Sequence, residues 1–258
     1  MEWAYTAAGL AVGFVVGLTG MGGGSLMTPI LVLFFGFSPS IAVGTDLIYA
    51  SVTKANGAWA HNRRGNVDWK LVGWLAVGSV PMAALTTFVL LHVELKSQHL
   101  GTLISGVLGV ALILTAFAIL FREPLRKLAH RSVRDETTKS GYRILATVAT
   151  GATLGVLVTV SSVGAGVLGM VVLLWLYPRI APVKLVGVDI AHGLLLTAVA
   201  GFGHLFQGHV DFALLASLLI GSLPGVYLGS HLSGLFPDKV LRPALACVLL
   251  VTGGRLVF

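Results

Sequence analysis

Apolar residues fall in long unbroken runs, roughly 3–19, 25–37, 40–60, 69–91, 100–121, 143–160, 167–177, 183–207, 212–235 and 240–258. Within these runs apolar and polar positions do not alternate with a period of two, so they read as helices rather than barrel strands. About 20 apolar residues cross the hydrocarbon core of a bilayer, and 10–14 fall short. Most of the runs are long enough to cross. The runs 25–37 and 167–177 are too short, and each follows a glycine-rich or serine-rich break. The pattern predicts an all-α integral membrane protein, a polytopic helical bundle in which the first helices of each half are broken or short.

The polar segment 122–142 (REPLRKLAHRSVRDETTKSGY) divides the chain, and its flanks are copies of one unit. A shift of 143 residues overlays Val43–Leu47 (VGTDL) on Val186–Ile190 (VGVDI). The same shift pairs Pro39 with Pro182, His61 with His204, Gly65 with Gly208, and Val67-Asp68 with Val210-Asp211. It also pairs Gly78-Ser79 with Gly221-Ser222 and Pro81 with Pro224, and a shift of 142 pairs Gly22 and Gly24 with Gly164 and Gly166. Chance matching of apolar text yields Val and Leu identities, but not paired Asp, His, Gly and Pro at one offset. The expected organisation is a first transmembrane repeat over 1–121, a basic linker over 122–142 and a second repeat over 143–258.

Composition agrees with a lipid environment. Hydrophobic residues make up 56% of the 258 and charged residues only 10%, against roughly 25% charged in soluble domains. The net charge of +7 forms no basic stripe, so it does not point to nucleic acid. The lone Cys247 excludes an intrachain disulfide, and the N-terminal MEWAYTAAGL has no basic stretch of the kind that starts a cleaved signal peptide.

Placing the charges decides between two topologies, because cytoplasmic loops collect Lys and Arg. With four crossings per half, the halves are parallel, and 11 Lys/Arg lie inside against 5 outside. With five crossings per half, counting the two short segments 25–37 and 167–177 as broken or re-entrant passes, the second half is inverted. Then 14 lie inside, only Lys96 and Arg255 outside, and Lys54 within the membrane. The loop His61–Lys70 is basic while its equivalent His204–Asp211 carries no Lys or Arg, as expected of loops on opposite sides. The sequence therefore predicts two inverted-topology repeats, with 122–142 cytoplasmic. Trp59, Trp69, Trp175 and Tyr177 mark predicted span ends, as interfacial aromatics do.

Two constellations carry candidate chemistry. The first is Gly20-Met21-Gly22-Gly23-Gly24-Ser25-Leu26-Met27-Thr28-Pro29. Each glycine of the Gly22–Gly24 run costs a continuous helix ~1 kcal/mol relative to alanine, so a break is expected there. A break frees backbone N–H groups at the start of the next helix, which suits an anion. The second half repeats it as Ser161-Ser162-Val163-Gly164-Ala165-Gly166. Paired interruptions in two halves point to a transporter's binding site; the alternative is that small residues merely let helices pack closely.

The second constellation is intramembrane charge. Asp46 and Asp189 are equivalent, each six or seven residues into its span. They read as proton carriers, cation ligands or partners of backbone donors, or else as structural hydrogen bonds between helices. Lys54 lies eight residues beyond Asp46, about 80° around the helix and ~12 Å along it; its counterpart is Thr197. Asn56 and His192 are weaker candidates, since a single Asn or His in a bundle is more often a packing hydrogen bond. His61, Arg63 and Arg64 read as a topology anchor. No P-loop, HExxH, GxSxG or CxxC occurs, and the histidines lack metal-ligand spacing.

Residues 13–81, from GFVVGLTGMGGGSLMTPI through AVGTDL and HNRRGNVDW to VGSVP, resemble the first repeat of the TauE/SafE sulfite-exporter family. The resemblance rests on the GMGGG…P segment, the AVGT tract and the H-x-R-R-G-x-V-D-W loop, with weaker likeness through 151–230. It implies a bacterial inner-membrane transporter of small organosulfur compounds or sulfur oxyanions, with sulfite, sulfonates and thiosulfate as implied substrates. Asp46 after AVGT and the degenerate SSVGAG depart from the family's pattern.

The expected function is secondary transport of a small anion by alternating access of the two repeats. Gly22, Gly23, Gly24, Ser25, Thr28, Lys54, Asn56, Ser161, Ser162, Gly164 and Gly166 are the candidate substrate-binding residues. Asp46, Asp189 and His192 are the coupling candidates. The expected partners are a small anionic substrate, the lipid bilayer and a coupling proton or cation, with no cofactor and no nucleic acid; a homo-oligomer is left open. An anion channel, or a membrane-embedded enzyme or assembly partner, is the alternative; saturable flux separates a carrier from these.

Overall fold

A computed structural model of the chain describes residues 3–19, 26–92, 97–132, 140–164, 166–232 and 238–257. Among the described residues no strand occurs and ten helices follow one another: α1 (Trp3–Thr19), α2 (Met27–Leu33), α3 (Pro39–Arg63), α4 (Trp69–His92), α5 (Ser97–Ser132), α6 (Ser140–Ser161), α7 (Val167–Leu176), α8 (Pro182–Phe206), α9 (Phe212–Leu232) and α10 (Asp238–Val257). Helix α5 continues to Ser132, so the first half of the polar segment 122–142 is helical, and α6 starts at Ser140. Among the described residues, five stretches are long and apolar enough to cross a bilayer: Trp69–His92, Gly101–Phe121, Gly141–Ser161, Pro182–Phe206 and Phe212–Leu232. At 1.5 Å per residue, α2 spans only ~10 Å and α7 ~15 Å. Neither crosses ~30 Å of hydrocarbon alone. Large apolar side chains such as Phe88, Phe117, Phe121, Leu145, Tyr227 and Val251 face outward. Only lipid tolerates such a surface, and the protein is a multi-pass membrane protein.

The internal copy extends to single hydrogen bonds. Helices α3 and α8 both begin on a proline, which fits the first turn because its missing N–H would have no partner there. Both end on a left-handed glycine, Gly65 (φ 67°) and Gly208 (φ 72°). The N–H of Asn66 then donates to the His61 carbonyl at 2.9 Å, and that of His209 to the His204 carbonyl at 3.0 Å. These pairs close the helix ends in the same way. Asp68 Oδ1 accepts from the N–H groups of Lys70 and Leu71, at 3.1 and 3.2 Å. Asp211 Oδ1 accepts from those of Ala213 and Leu214, both at 2.9 Å. Each aspartate caps the helix that follows it.

Tertiary packing repeats as well. The most extensive pairs are α1 with α9 and α4 with α6, and exchanging the two halves turns one pair into the other. Their backbones touch. A Cβ on Gly9 or Gly13 would overlap the Leu218 or Ser222 backbone of α9, and one on Gly78 or Gly151 would overlap the Val148 or Leu75 backbone. In lipid, where no hydrophobic force joins helices, such close approach is a main source of cohesion. The remaining large pairs, α3 with α8 and α5 with α10, each join a helix to its own equivalent.

The crossing of α3 and α8 positions everything that follows. Gly44 lies under the His209 carbonyl and Gly187 under the Asn66 carbonyl, one contact seen from each half. Between them, Gly201 packs on Ile48 and Gly57 on Ile190. The start of each helix therefore lies against the end of the other, and the two run antiparallel. Taken together, these approaches make α3 and α8 level with each other's equivalents at Lys54 and Thr197.

Replacing Gly78 by Leu should force α4 and α6 apart and destabilise the detergent-solubilised protein by at least ~1–3 kcal/mol, the usual range for overpacking. Gly73→Leu on the same helix, with open space around its would-be Cβ, should leave the thermal midpoint nearly unchanged. Equal midpoints for the two variants in a size-exclusion thermal scan would contradict this packing.

Candidate functional site

Charged and polar side chains gather where α2, α3, α4, α7 and α8 meet the end of α6. Helix α3 carries Asp46, Tyr49 and Lys54 among them, and inward positions such as Val43, Leu47 and Ala50 are small or apolar and fully buried. Asp46 points at α2, the short helix of its own half, and has no solvent exposure. There the Thr28 hydroxyl donates to Asp46 Oδ2 at 2.5 Å. Asp46 Oδ1 has no partner. The Ser162 hydroxyl, itself buried, faces this carboxylate without completing a hydrogen bond.

Ser162 reaches that place because α6 breaks there. Its own φ is +58°, a left-handed conformation that costs a non-glycine residue of order 1 kcal/mol or more. Ser161 holds the break: its hydroxyl donates to the Leu157 carbonyl at 2.7 Å and accepts from the Val163 N–H at 3.2 Å. Gly164 (φ 111°) completes the bend, and Gly166 leads into α7. The sequence expectation of a break at Ser161–Gly166 is thus met in the second half. The first-half counterpart, Gly22, Gly23, Gly24 and Ser25, lies outside the described residues.

Asp189 repeats the placement of Asp46. It lies against α7, the short helix of its own half, so closely that a Cβ on Gly169 would come within 2.9 Å of Asp189 Oδ1. Lys54, 5% exposed, interacts electrostatically with both acids, Asp189 and Asp46. By helix geometry each acid lies ~12 Å from the Lys54 level along its own helix, on opposite sides. His192 shares this neighbourhood: Nε2 makes a 2.8 Å hydrogen bond with the Ser79 hydroxyl of α4, and Nδ1 has no partner. Asn56 is exposed, since two residues past Lys54 turns its side chain to the other side of α3. It does not join the buried group.

One further pair belongs to the same network. Tyr49 is buried with the Ser222 hydroxyl of α9 beside it, and this mirrors His192 with Ser79, because the 143-residue shift carries Tyr49 onto His192 and Ser79 onto Ser222. Sequence reading used Ser79 and Ser222 only as marks of the repeat. The signal that they face a polar partner was the offset itself, applied to Tyr49 and His192. Thr197, the counterpart of Lys54, spends its hydroxyl on the Gly193 carbonyl at 2.8 Å.

Other expected features are structural. His204 Nε2 bonds the Thr159 carbonyl at 2.8 Å and ties α8 to α6. In the loop beyond, burial lowers the His209 imidazole below its usual range, which favours the neutral ring. Arg63 stacks over Trp59 at 4.8 Å, and Trp69 Nε1 donates to Asn62 at 2.9 Å, which fixes the basic end of α3. Trp59, Trp69 and Trp175 are exposed as expected of span ends, whereas Tyr177 bonds the Thr147 hydroxyl of α6 at 2.8 Å. Among the described residues, no three His, Cys, Asp or Glu side chains converge as metal ligands. The chemistry available is therefore charge, hydroxyl donors and a broken helix.

Residues 5–256 match the family described as "Sulfite exporter TauE/SafE". Among curated relatives, the Bacillus subtilis (strain 168) protein named "Probable membrane transporter protein YjnA" is 41% identical over 250 residues, covering 96% of this chain and 97% of that one. A second from the same organism, "Probable membrane transporter protein YdhB", is 30% identical and covers 96% of each. A third, "Probable membrane transporter protein YunE", is 24% identical over 97% of this chain and 95% of its own length. No solved structure matches. With its helical membrane fold and a family match over nearly its whole length, the chain belongs to the TauE/SafE sulfite exporter family of membrane transporters, and is not an enzyme.

Proposed function

We propose that this protein is a secondary transporter of a small anion, an organosulfur compound or sulfur oxyanion such as sulfite, a sulfonate or thiosulfate. The observation that carries this reading is the place of Lys54. A buried cation in a membrane interior is costly and needs a functional or pairing reason. Here it sits at the level where α3 crosses its own equivalent, with an acid on either side and the bend at Ser162 beside Asp46. An anion drawn to Lys54 would exchange its water for hydroxyl and backbone donors of the interrupted segments, Thr28 and Ser162 among them.

The two halves, 1–121 and 143–258, would be inverted repeats joined by 122–142 on the cytoplasmic side of the inner membrane. The antiparallel course of α3 and α8 supports this, as does the concentration of Lys and Arg on one predicted side. Rocking one repeat against the other about the α3–α8 crossing would expose Lys54 to each side in turn.

Two outcomes check the reading. In proteoliposomes, Lys54→Met should lower saturable flux of sulfite, thiosulfate or sulfoacetate about tenfold or more, worth ~1.4 kcal/mol or above, while Lys54→Arg retains a measurable share. Unchanged flux in a monodisperse Lys54→Met protein removes the site. For orientation, single cysteines placed at Asn66 and at Gln207 in a Cys247→Ser background should react with a membrane-impermeant maleimide from opposite sides. Labelling of both from one side would rule out inversion.

A further inference from the structure

Away from the α3–α8 crossing, a groove of about 630 Å³ opens sideways between α5, α6 and α7. Cavities that hold a small ligand run from roughly 300 to 1,000 Å³. One stripe of α6 forms its wall, with Tyr142, Leu145, Ala149, Thr153 and Leu157 at helical spacing. Tyr142 and Leu145, at one end, are exposed. At 1.5 Å per residue, Tyr142 to Leu157 covers ~22 Å, close to the ~20 Å of one bilayer leaflet with its headgroup region. The wall has nothing to offer a polar ligand. Thr150 spends its hydroxyl on the Ala146 carbonyl at 2.7 Å, and Thr153 spends its own on that of Ala149 at 3.0 Å. A sulfur oxyanion therefore has no place here, and a hydrocarbon chain does.

We infer that this groove binds one acyl chain of an anionic phospholipid, with the phosphate at the Tyr142 end and the chain laid against the leucines that pack on Gly164. Charge selects the lipid. The stretch 122–143, which leads into the Tyr142 end, holds seven Lys and Arg against three Asp and Glu. Arg143 follows Tyr142 by ~100° of helix turn, at the edge of the stripe. Basic segments beside membrane helices attract anionic headgroups. A second copy of the chain fits less well, because it would bring two such basic stretches together. The inner end of the groove is the bend itself. Leu154, Leu157 and Leu168 all line the groove, and a Cβ on Gly164 would meet them at 3.9, 3.1 and 3.3 Å. Leu154 also packs on Gly169, the residue of α7 beside Asp189. A chain in the groove thus braces the short helix α7 from the lipid side, while Asp189 lies against it from within. The lipid site stands apart from the anion reading of Lys54 and holds whether or not that reading does.

The test uses the full chain, delipidated in an uncharged detergent. Phosphatidylglycerol should raise its thermal midpoint by about 3 °C or more above the value in equal phosphatidylcholine. Ala149→Phe, which puts a ring into the groove, should abolish that difference. Val77→Phe, on an outward position of α4, should keep it. A second arm needs no variant: phosphatidylglycerol with a photoreactive group near the end of its acyl chain should label the wild type in peptides that contain Leu154, Leu157 or Leu168, and phosphatidylcholine with the same chain should label them much less. Equal midpoints in the two lipids, a difference that survives in Ala149→Phe, or label spread evenly over outward residues such as Phe88 and Phe117 overturns the site. So does cross-linking of Leu145→Cys to a second copy in a Cys247→Ser background, which would make the groove a subunit interface.

Discussion

The structure depends on one crossing, that of α3 against α8. Each helix lays its first turns under the closing turn of the other, Gly44 beneath the His209 carbonyl and Gly187 beneath the Asn66 carbonyl. No side chain larger than hydrogen fits at either place. The contact fixes the antiparallel course, the level at which the equivalents meet and the depth of every charged group on α3. The short helices follow from it. A carboxylate at Asp46 or Asp189 cannot face lipid, and α2 and α7, too short to span, lie where the two acids need cover.

Around that crossing, close approach at small residues adds to several buried clusters of apolar side chains. Backbones meet at Gly9, Gly13, Gly78 and Gly151, where no side chain intervenes, while other large apolar side chains such as Phe88 and Phe117 point outward. This arrangement follows from the solvent. Lipid is as apolar as leucine, so burying a leucine between helices gains little, while close backbone approach gains dispersion contacts that lipid chains cannot match. Polar pairs such as Ser79 with His192 then fix register between helices that would otherwise slide.

Much of this was legible in the sequence. The apolar runs match the helices to within a few residues except at α5, which continues past 121 to Ser132, and the break at Ser161–Gly166 is visible as a cluster of small residues in an apolar run. Asp46, Asp189 and Lys54 stood out because charge is rare inside spans. What stayed hidden was rotation about the helix axis. Asn56 sits two residues from Lys54 in sequence yet faces away from it, and Ser161 and Ser162 read as equal hydroxyls until one proved tied to Leu157 and the other free. Tyr49 was hidden for another reason. An aromatic in an apolar run looks like packing, and only its equivalence to His192 marks it as polar.

The departures from symmetry say more about function than the symmetry does. A perfect copy would place a lysine at position 197, and two cations would then meet at the crossing, where mutual repulsion in low dielectric is severe. Thr197 instead turns its hydroxyl back on Gly193 and leaves the level to Lys54. A single cation between two acids of opposite halves is an arrangement that the fold can build only once, on its axis. The acids differ as well: Asp46 accepts from Thr28 and faces the strained Ser162, while Asp189 packs beside Gly169. Equivalent acids in unequal surroundings need not play equal parts, and under the proposed reading that inequality would let a nearly symmetric scaffold hold a single anion at its centre.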